Sequence, residues 1–338
     1  MTTERIHTIA DIARLAGVSK STVSRALNDS PLIGTETKER IRAIAREHQF
    51  QMNVPARRLS LKKSRAVALV TSEYTADLSV ADSFMLEVLS GIAGGLHGND
   101  YDLLIIQATE DDTEWARQYL ETGRADGFIL LSPTCTPRQL RTLEEMKAPF
   151  IIWGAPSRHH GYSSVSGDSY SGGKRATEHL LRSGRSRIGF LGGPAEEPEV
   201  QDRYEGYEAA IREAGKRVDP ALVAHADWDR PETSAPAAMR QFLQHAPDLD
   251  AVFANSDVMA IAAMDTIRDH DRRVPDDVAV VGYDDVAIAR YSHPPLTTIR
   301  QNGPLIGKLL AQNLIQQLQT GAVTDVSIPA ELVVRESA

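Results

Sequence analysis

Several features are scarce or absent in this sequence, and each absence removes a class of protein. The chain of 338 residues contains a single cysteine, Cys135, which excludes an internal disulfide framework and an all-cysteine metal site. No apolar run approaches the roughly 20 residues that a membrane span needs. The opening stretch MTTERIHTIAD lacks the apolar core of a signal peptide. We therefore expect a cytoplasmic protein that is not associated with a membrane.

The motifs of common enzyme and metal sites are also missing. No P-loop occurs, and no G-x-G-x-x-G opens a helix after a strand. The adjacent histidines of RHH, at 158–160, point in different directions and lack spaced partners for a metal. Cys135 has no base that the sequence can assign to it. We expect no enzyme activity, no cofactor and no metal ion.

Charge is unevenly distributed along the chain. Residues 1–65 hold 13 Lys and Arg against 6 Asp and Glu, a balance of +7. The whole chain has 37 and 46, so residues 66–338 hold 24 and 40, a balance of −16. A basic segment joined to an acidic body indicates a polyanionic partner for the first segment alone, although a basic surface that is merely solvated is the alternative.

The basic segment has the pattern of a helix-turn-helix. In TIADIARLAG the apolar residues recur at helical spacing, Thr8 and Asp11 form a capping-box pattern, and Gly17 supplies a stop. Ser19 caps a second helix with a buried face of Val23, Ala26 and Leu27. A third helix fits TKERIRAIAREHQF, which predicts a small three-helix core.

The outward face of the second helix is polar and basic. Side chains of this kind and length reach base edges and phosphates in a major groove, although an ordinary polar helix face is the alternative. We assign base reading to Lys20, Ser21 and Arg25. Residues that we place in contact with DNA, mostly at backbone phosphates, are Thr8, Ser19, Thr22, Ser24 and Asn28.

The helix-turn-helix segment resembles the DNA-binding head of the lactose/galactose repressor family of bacterial transcriptional regulators. The residues that carry this resemblance are TIADIARLAGVSKSTVSRALN, followed by TKERIRAIAREHQF. The resemblance extends over essentially the whole chain. It implies a homodimeric, ligand-responsive transcription factor, usually a repressor, that reads a near-palindromic double-stranded operator. The head would span residues 1–52.

Residues 53–65 correspond to the family's hinge helix, which lies in the minor groove of the operator. The positions that the resemblance assigns to DNA here are Asn53, Ala56, Arg57 and Leu59. Leu59 matches the leucine that wedges between base pairs, at an unstacking cost of a few kcal/mol; an ordinary linker residue is the alternative. Met52 occupies the place where relatives usually carry proline, and a proline follows at Pro55.

From residue 66 onwards short apolar runs alternate with helical segments. The candidate strands are 66–72, 101–108, 127–132, 150–154, 187–193, 221–228, 251–256 and 278–285. Two successive series of this kind predict an α/β body of two parallel-sheet lobes, and the resemblance implies a periplasmic-binding-protein-like fold. We expect lobe 1 at about 66–162 and 291–323, and lobe 2 at about 163–290 and 324–338. In this scheme LTTIRQ and a helix at 304–319 complete the first lobe.

Ligands of such sheets lie beyond the carboxyl ends of the strands. Residues at those ends are Ser72, Ser132, Pro133, Trp153, Gly154, Trp228, Asn255, Ser256, Asp257, Asp284 and Asp285. Carboxylates and hydroxyls beside an indole suit a sugar. The effector-binding set that we derive from the strand ends and the resemblance is Asp82, Phe84, Ser132, Arg203, Trp228, Ser256, Asp284 and Gln301.

Some of these residues also have structural readings. Asp284 could cap a turn, and Asp257 could cap the following helix. Trp153 could belong to the core, and Arg203 could pair with a structural carboxylate. The chain departs from the family at two places. Ser256 stands where relatives often have asparagine, and the residue pair that begins with Gly154 lacks the arginine that many relatives have there.

We interpret the chain as a repressor of carbohydrate-utilisation genes whose operator affinity is switched by a small sugar. The alternatives are a sugar-binding transport component, a regulator that senses a nucleoside or another metabolite, and, more remotely, a sugar-processing enzyme.

Overall fold

The computed structural model describes residues 8–48, 50, 64–71, 83–109, 112–131, 136–154, 161–228 and 230–338. The chain divides into two compact units, Met1–Ser64 and Arg65–Ala338. Among the described residues, no helix combines the length and the apolar character needed to cross a bilayer.

The first unit contains three helices, α1 (Ile9–Ala16), α2 (Lys20–Leu27) and α3 (Thr35–Glu47). Their common core is Ile12, Ala13, Ala16, Val23, Ala26, Ile41 and Ala45. The predicted local signals are confirmed: Thr8 and Asp11 form a capping box, and Gly17 ends α1 in the left-handed conformation at φ 64°. Ser19 caps α2 by accepting a hydrogen bond from the amide of Thr22 at 3.1 Å.

The second unit alternates strands and helices. Its helices are α4 (Ser83–His97), α5 (Trp115–Glu121), α6 (Pro137–Glu145), α7 (Ser169–Arg182), α8 (Pro198–Glu213), α9 (Pro231–His245), α10 (Asp257–Asp269) and α11 (Gly303–Thr320). Its strands are β1 (Ala66–Thr71), β2 (Asp102–Gln107), β3 (Gly127–Leu131), β4 (Phe150–Trp153), β5 (Ser163–Gly167), β6 (Ile188–Gly192), β7 (Val223–His225), β8 (Ala251–Ala254), β9 (Ala279–Asp284), β10 (Thr297–Arg300), β11 (Asp325–Ile328) and β12 (Glu331–Val333). Short 3₁₀ turns occupy Pro220–Leu222 and Ala287–Arg290.

The strands form two six-stranded sheets, one in each lobe. The first has the order β11-β5-β4-β3-β1-β2, and the second has the order β12-β10-β9-β8-β6-β7. The strand pairs are parallel except for β10 with β12. Successive residues of β1 alternate between two apolar clusters, as Val67 and Ala68 do. Each sheet is therefore buried on both faces, which is typical of parallel sheets covered by helices.

Two pairs of helices approach each other closely through glycines. Gly307 of α11 lies against the backbone of Val88 in α4, and Gly206 of α8 lies against the backbone of Tyr170 in α7. A side chain at either glycine would separate the helices, because its β-carbon would be closer than 3.0 Å to a backbone atom. The first pair belongs to lobe 1 and the second to lobe 2.

The structure corrects the predicted division of the lobes. Strand β5 begins at residue 163 and belongs to the first sheet, as does β11, whereas both were assigned to lobe 2. Conversely β10, within LTTIRQ, pairs with β9 in the second sheet, so that of LTTIRQ and the helix after it the helix α11 alone belongs to lobe 1. The crossings follow the carboxyl ends of β5, β10 and β11. The polar sequence SSVSG of β5 carries no apolar run, so its position in a sheet was not visible in the sequence.

Candidate functional site

The predicted base-reading residues lie on one exposed surface of the first unit. Lys20, Ser21 and Arg25 of α2 are all exposed. On the opposite side of this helix Val23 and Ala26 are buried against α1 and α3. The small core therefore fixes which face of α2 is turned outward, as docking of a recognition helix in a major groove requires.

Four of the residues that were assigned to DNA contacts already have hydrogen-bond partners within the unit. The hydroxyl of Thr8 donates to Oδ2 of Asp11 at 2.7 Å. The Oγ of Ser19 lies 2.8 Å from the hydroxyls of both Ser21 and Thr22. Thr8 and Ser19 cap helices through their hydroxyl groups, so in any contact with DNA the same hydroxyl groups must also serve as caps. Ser24 and Asn28 are half-buried.

An ion cluster holds the segment after α2 against α3. Asp29, at φ 58°, lies 2.9 Å from both Nζ of Lys38 and Nη2 of Arg42. These two cations and their hydrogen bonds hold the pKa of Asp29 below its usual value. Lys38 and Arg42 are thereby paired within the unit, whereas Lys20 and Arg25 of the exposed face form no ion pair with another described residue.

In the second unit, polar residues line the carboxyl edge of the second sheet. The strand order places the end of β10 beside β9, followed by β8, β6 and β7. The residues that stand at or just beyond these ends are, in the same order, Gln301, Asp284, Asn255, Gly193 and Trp228. Side chains that are far apart in the chain thus meet along one edge, where ligands of open α/β sheets bind.

Asp284 and Gln301 are directly joined. The Nε2 of Gln301 donates to Oδ1 of Asp284 at 2.7 Å. Burial raises the pKa of Asp284 to about 6, while the nearby Arg203 and the bond from Gln301 act in the opposite direction. The Oε1 of Gln301 lies against Gly167 at the end of β5, which brings this pair to the first lobe.

Arg203 extends from α8 to the same edge and is 6% exposed. Its Nη1 donates to the backbone oxygen of Asn255 at 2.7 Å, and its guanidinium lies 3.7 Å from the centre of the Tyr283 ring. Its Nε and both amide atoms of Asn255 are buried without a hydrogen-bond partner among the described residues. Buried polar atoms are normally paired, so these three atoms point to a ligand or ordered water.

The aromatic residues of the site occupy two positions. Trp228 is half-buried and packs against both apolar clusters of the second lobe, which flank its sheet. Trp153 is 8% exposed and belongs to the core of the first lobe. Phe84 in the first turn of α4 lies 6.1 Å from Trp153, measured between ring centres.

Comparisons with known proteins agree with this arrangement. Residues 8–53 match the family model of bacterial regulatory proteins, lacI family, and residues 177–338 match that of the periplasmic binding protein-like domain. The HTH-type transcriptional regulator CelR of Thermobifida fusca is 34% identical over 343 residues, covering 100% of both chains. The chain belongs to the lacI family of bacterial regulatory proteins.

Two solved structures extend the similarity to the whole fold. A transcriptional regulator CelR-cellobiose complex is 33% identical at TM-score 0.74, covering 98% of this chain and 99% of that one. The lac repressor dimer bound to operator and the anti-inducer ONPF is 25% identical at TM-score 0.81, covering 99% of both chains. As a member of this family, the protein is a ligand-responsive, DNA-binding transcriptional regulator.

Two neighbouring residues differ from their expected roles. Ser256, which was assigned to the effector, caps α10 by accepting a hydrogen bond from the amide of Met259 at 3.2 Å. Asp257, which was expected to be that cap, is instead fully buried. Its carboxylate accepts from the hydroxyl of Thr298 and, at 2.9 Å, from the amide of Val286. Asp257 therefore ties α10 to β10 and to the loop that follows β9.

Six of the assigned residues lie outside the described part of the chain. They are Asn53, Ala56, Arg57 and Leu59 of the hinge segment, and Asp82 and Ser132 of the first lobe. Their roles stay predictions.

The arrangement around Asp285 has no signal in the sequence. Its carboxylate, with a side chain 1% exposed, lies 2.7 Å from Nε of Arg300 and also binds Arg335. Asn255 was recognised as a strand end but was not assigned to the site. Its position after an apolar strand and before a helix was the available signal, but nothing in the sequence shows that its amide lacks a partner.

Proposed function

We propose that the protein is a homodimeric repressor of carbohydrate-utilisation genes, and that a small sugar in the cleft sets its operator affinity. It would act in the cytoplasm, where operator DNA is accessible, and by binding rather than by catalysis. Coupling between the two sites follows from linkage, since an effector that prefers one arrangement of the lobes shifts the DNA-binding equilibrium. A coupling of about 1–3 kcal/mol changes operator affinity about 5- to 150-fold.

The observation that carries the effector proposal is the set of unpaired polar atoms on Arg203 and Asn255. A sugar hydroxyl both donates and accepts, so it can satisfy the Nε of Arg203 together with the Oδ1 or Nδ2 of Asn255. Asp284 and Gln301 stand next along the same edge and would bind further hydroxyls. The indole of Trp228 would cover the apolar face of a sugar ring.

For the operator we propose that Lys20, Ser21 and Arg25 read bases, and that Thr22 and Asn28 contact phosphates. Thr8, Ser19 and Ser24 would assist in the phosphate contacts. The basic balance of residues 1–65 supports DNA binding by this unit, because contacts of Lys and Arg with phosphates supply a large share of the affinity for DNA. The hinge residues would contact the minor groove, with Leu59 as the wedge.

We further propose that the protomers meet on the outer face of lobe 2. A groove of about 580 Å³ runs between α9 and α10, and half-buried Val258, Ile261 and Ile288 line it. Arg240 and Asp265 border the same groove. In a two-fold contact the same patch faces itself, so opposite charges at its border can pair between protomers.

A thermal-shift screen tests the effector proposal. The panel contains glucose, cellobiose and other mono- and disaccharides, phosphosugars and nucleosides. Cellobiose is included because a relative was solved with it. A ligand at 100 times its dissociation constant adds about 2.7 kcal/mol of stability, which is a readily measured shift. We expect a neutral sugar to stabilise the wild type and Arg203→Lys to abolish that shift. A nucleoside hit with no sugar hit would contradict the proposed class.

A promoter-binding titration tests the DNA proposal. A protein with about 6–10 phosphate contacts loses roughly 10³- to 10⁵-fold in affinity between 50 and 200 mM salt. We expect a loss of that size, and we expect the sugar found in the screen to change the affinity at fixed salt. Salt-independent binding would contradict the assigned role of the basic unit.

A further inference from the structure

A glycine with no assigned role lies under the indole of Trp228. Gly193 follows β6 and is buried. A β-carbon at this position would be closer than 3.0 Å to three atoms of the six-membered ring of Trp228, namely Cζ2, Cε2 and Cη2. Contacts that short do not persist in proteins, so any residue with a side chain here would displace the ring or be displaced by it.

The requirement for glycine at this position is one of space. Gly193 is not among the residues with positive φ, so its backbone conformation is open to alanine. The neighbouring residue Gly192 is also confined, between Phe190 and the imidazole of His225. The two glycines thus bring the backbone into close contact with aromatic rings, a common use of glycine next to a binding site.

His225 fixes the other side of this contact. Its Nδ1 lies 2.7 Å from the backbone oxygen of Gly193, and because a carbonyl only accepts, Nδ1 carries the proton and donates. His225 ends β7, and Trp228 follows three residues later. The hydrogen bond therefore ties the loop that carries the indole to the loop on which the indole rests.

We propose that Gly193 is a positioning residue that determines where the indole of Trp228 lies, and hence how well the regulator binds a ring-shaped ligand at the edge of the second sheet. His225 maintains the contact. The ligand part of this inference rests on the proposed sugar site, whereas the placement of the indole does not.

Fluorine NMR tests the placement without any ligand. The chain has three tryptophans, so protein labelled with 5-fluorotryptophan gives three signals, and Trp228→Phe identifies one of them. We expect Gly193→Ala to shift the Trp228 signal alone. The matched control is Gly189→Ala in β6, the strand that precedes Gly193, where the nearest atom to the new β-carbon is 3.2 Å away, on Phe242. An unmoved Trp228 signal, or an equal shift in the control, would overturn the proposal.

Calorimetric titration with cellobiose tests the consequence for binding. We expect Gly193→Ala to weaken binding at least about tenfold, while Gly189→Ala leaves it within twofold. The double variant Gly193→Ala with Trp228→Phe should bind no more weakly than Trp228→Phe alone, because the smaller ring leaves room for the methyl group. Full additivity of the two losses would contradict positioning through the indole.

The fluorine NMR and the calorimetric titration together distinguish failure of the proposed sugar site from failure of the proposed role of Gly193. If no sugar binds the wild type, the proposed effector class is wrong, and the fluorine spectra still decide whether Gly193 places the indole. If sugar binds and Gly193→Ala shifts the Trp228 signal without weakening binding, the indole is placed by Gly193 but its position does not govern affinity, which overturns the proposal.

Discussion

At the scale of single residues, the turn after β9 is held in a conformation that its side chains do not favour. Asp284 has φ 116° and Asp285 has φ 59°, both in the region where residues other than glycine are uncommon. Such conformations persist when their surroundings over-determine them. Here the buried carboxylate of Asp285 binds Arg300 and Arg335, and Asp257 accepts a bond from the amide of the next residue, Val286.

The raised pKa of Asp284 predicts a cost in stability. Its pKa in the folded protein is about 6, against an ordinary value of 3.8, and burial is the main cause. Between these two values the native state binds more protons than the unfolded state, so this group lowers stability as pH rises through that window. Above the window the full cost is present, and below it the cost vanishes.

We therefore expect Asp284→Asn to stabilise the protein at pH 7.5, by about 1–3 kcal/mol, and to have little effect at pH 4. Asparagine keeps an oxygen that can accept the bond from Gln301. Urea denaturation at the two pH values measures the difference. Equal effects at both values would show that the carboxylate is not destabilised by its surroundings. The same variant should bind a sugar more weakly, because it loses a charged acceptor.

At the scale of elements, the turn between α1 and α2 depends on one left-handed residue. Gly17 has φ 64°, and Gly34, which precedes α3, has φ −63°. A β-carbon would meet no atom within 4 Å at either position. The two glycines thus have the same open space around the β-carbon position and differ in the sign of φ, which makes them a useful pair for comparison.

Gly17→Ala should destabilise the first unit by about 1–2 kcal/mol, because alanine disfavours the left-handed region. Gly34→Ala should change its stability by less than about 0.5 kcal/mol. Hydrogen exchange of residues 9–27 in the full-length protein measures both effects as faster or unchanged exchange. Similar exchange in the two variants would contradict this account of the turn.

The contact between α4 and α11 provides a second matched pair. A β-carbon at Gly91 would be closer than 3.0 Å to the backbone oxygen of Pro304, whereas one at Gly94 on the same helix would meet nothing within 4 Å. We expect Gly91→Ala to lower the free energy of unfolding by about 1–3 kcal/mol through overpacking. Gly94→Ala should raise the free energy of unfolding by about 0.5–1 kcal/mol, since alanine is the better helix former. Urea midpoints that move in the same direction would refute the close contact.

At the scale of the whole molecule, the proposed protomer contact links the acidic body to operator binding. Two heads on one near-palindromic operator gain affinity only if the bodies hold them together. A charge in the apolar groove would therefore weaken DNA binding from a distance, because desolvating an unpaired charge in an interface is unfavourable.

We expect Ile261→Lys to shift sedimentation from dimer to monomer at micromolar concentration and to lower operator affinity at least about tenfold. The matched control is Val323→Lys, which adds the same charge at an apolar residue that is 48% exposed and away from the groove. A dimer that survives Ile261→Lys would place the protomer contact elsewhere.

The sequence by itself determined the features that rest on neighbours in the chain. The caps Thr8 and Ser19 and the stop at Gly17 act within three or four residues, so the three-helix unit could be read from spacing. Apolar strands alternating with helices likewise identified the two lobes. The strand ends brought Asp284 and Trp228 forward as candidates, since ligands bind beyond such ends.

Only the tertiary structure decided which distant residues share a site. The polar strand β5 joins the first sheet through its pairing with β4 and β11, which no local pattern reveals. Arg335 reaches Asp285 across 50 positions, and Trp228 rests on Gly193 across 35. Contacts of this kind depend on the order of strands in the sheet, because that order decides which strand ends become neighbours in space.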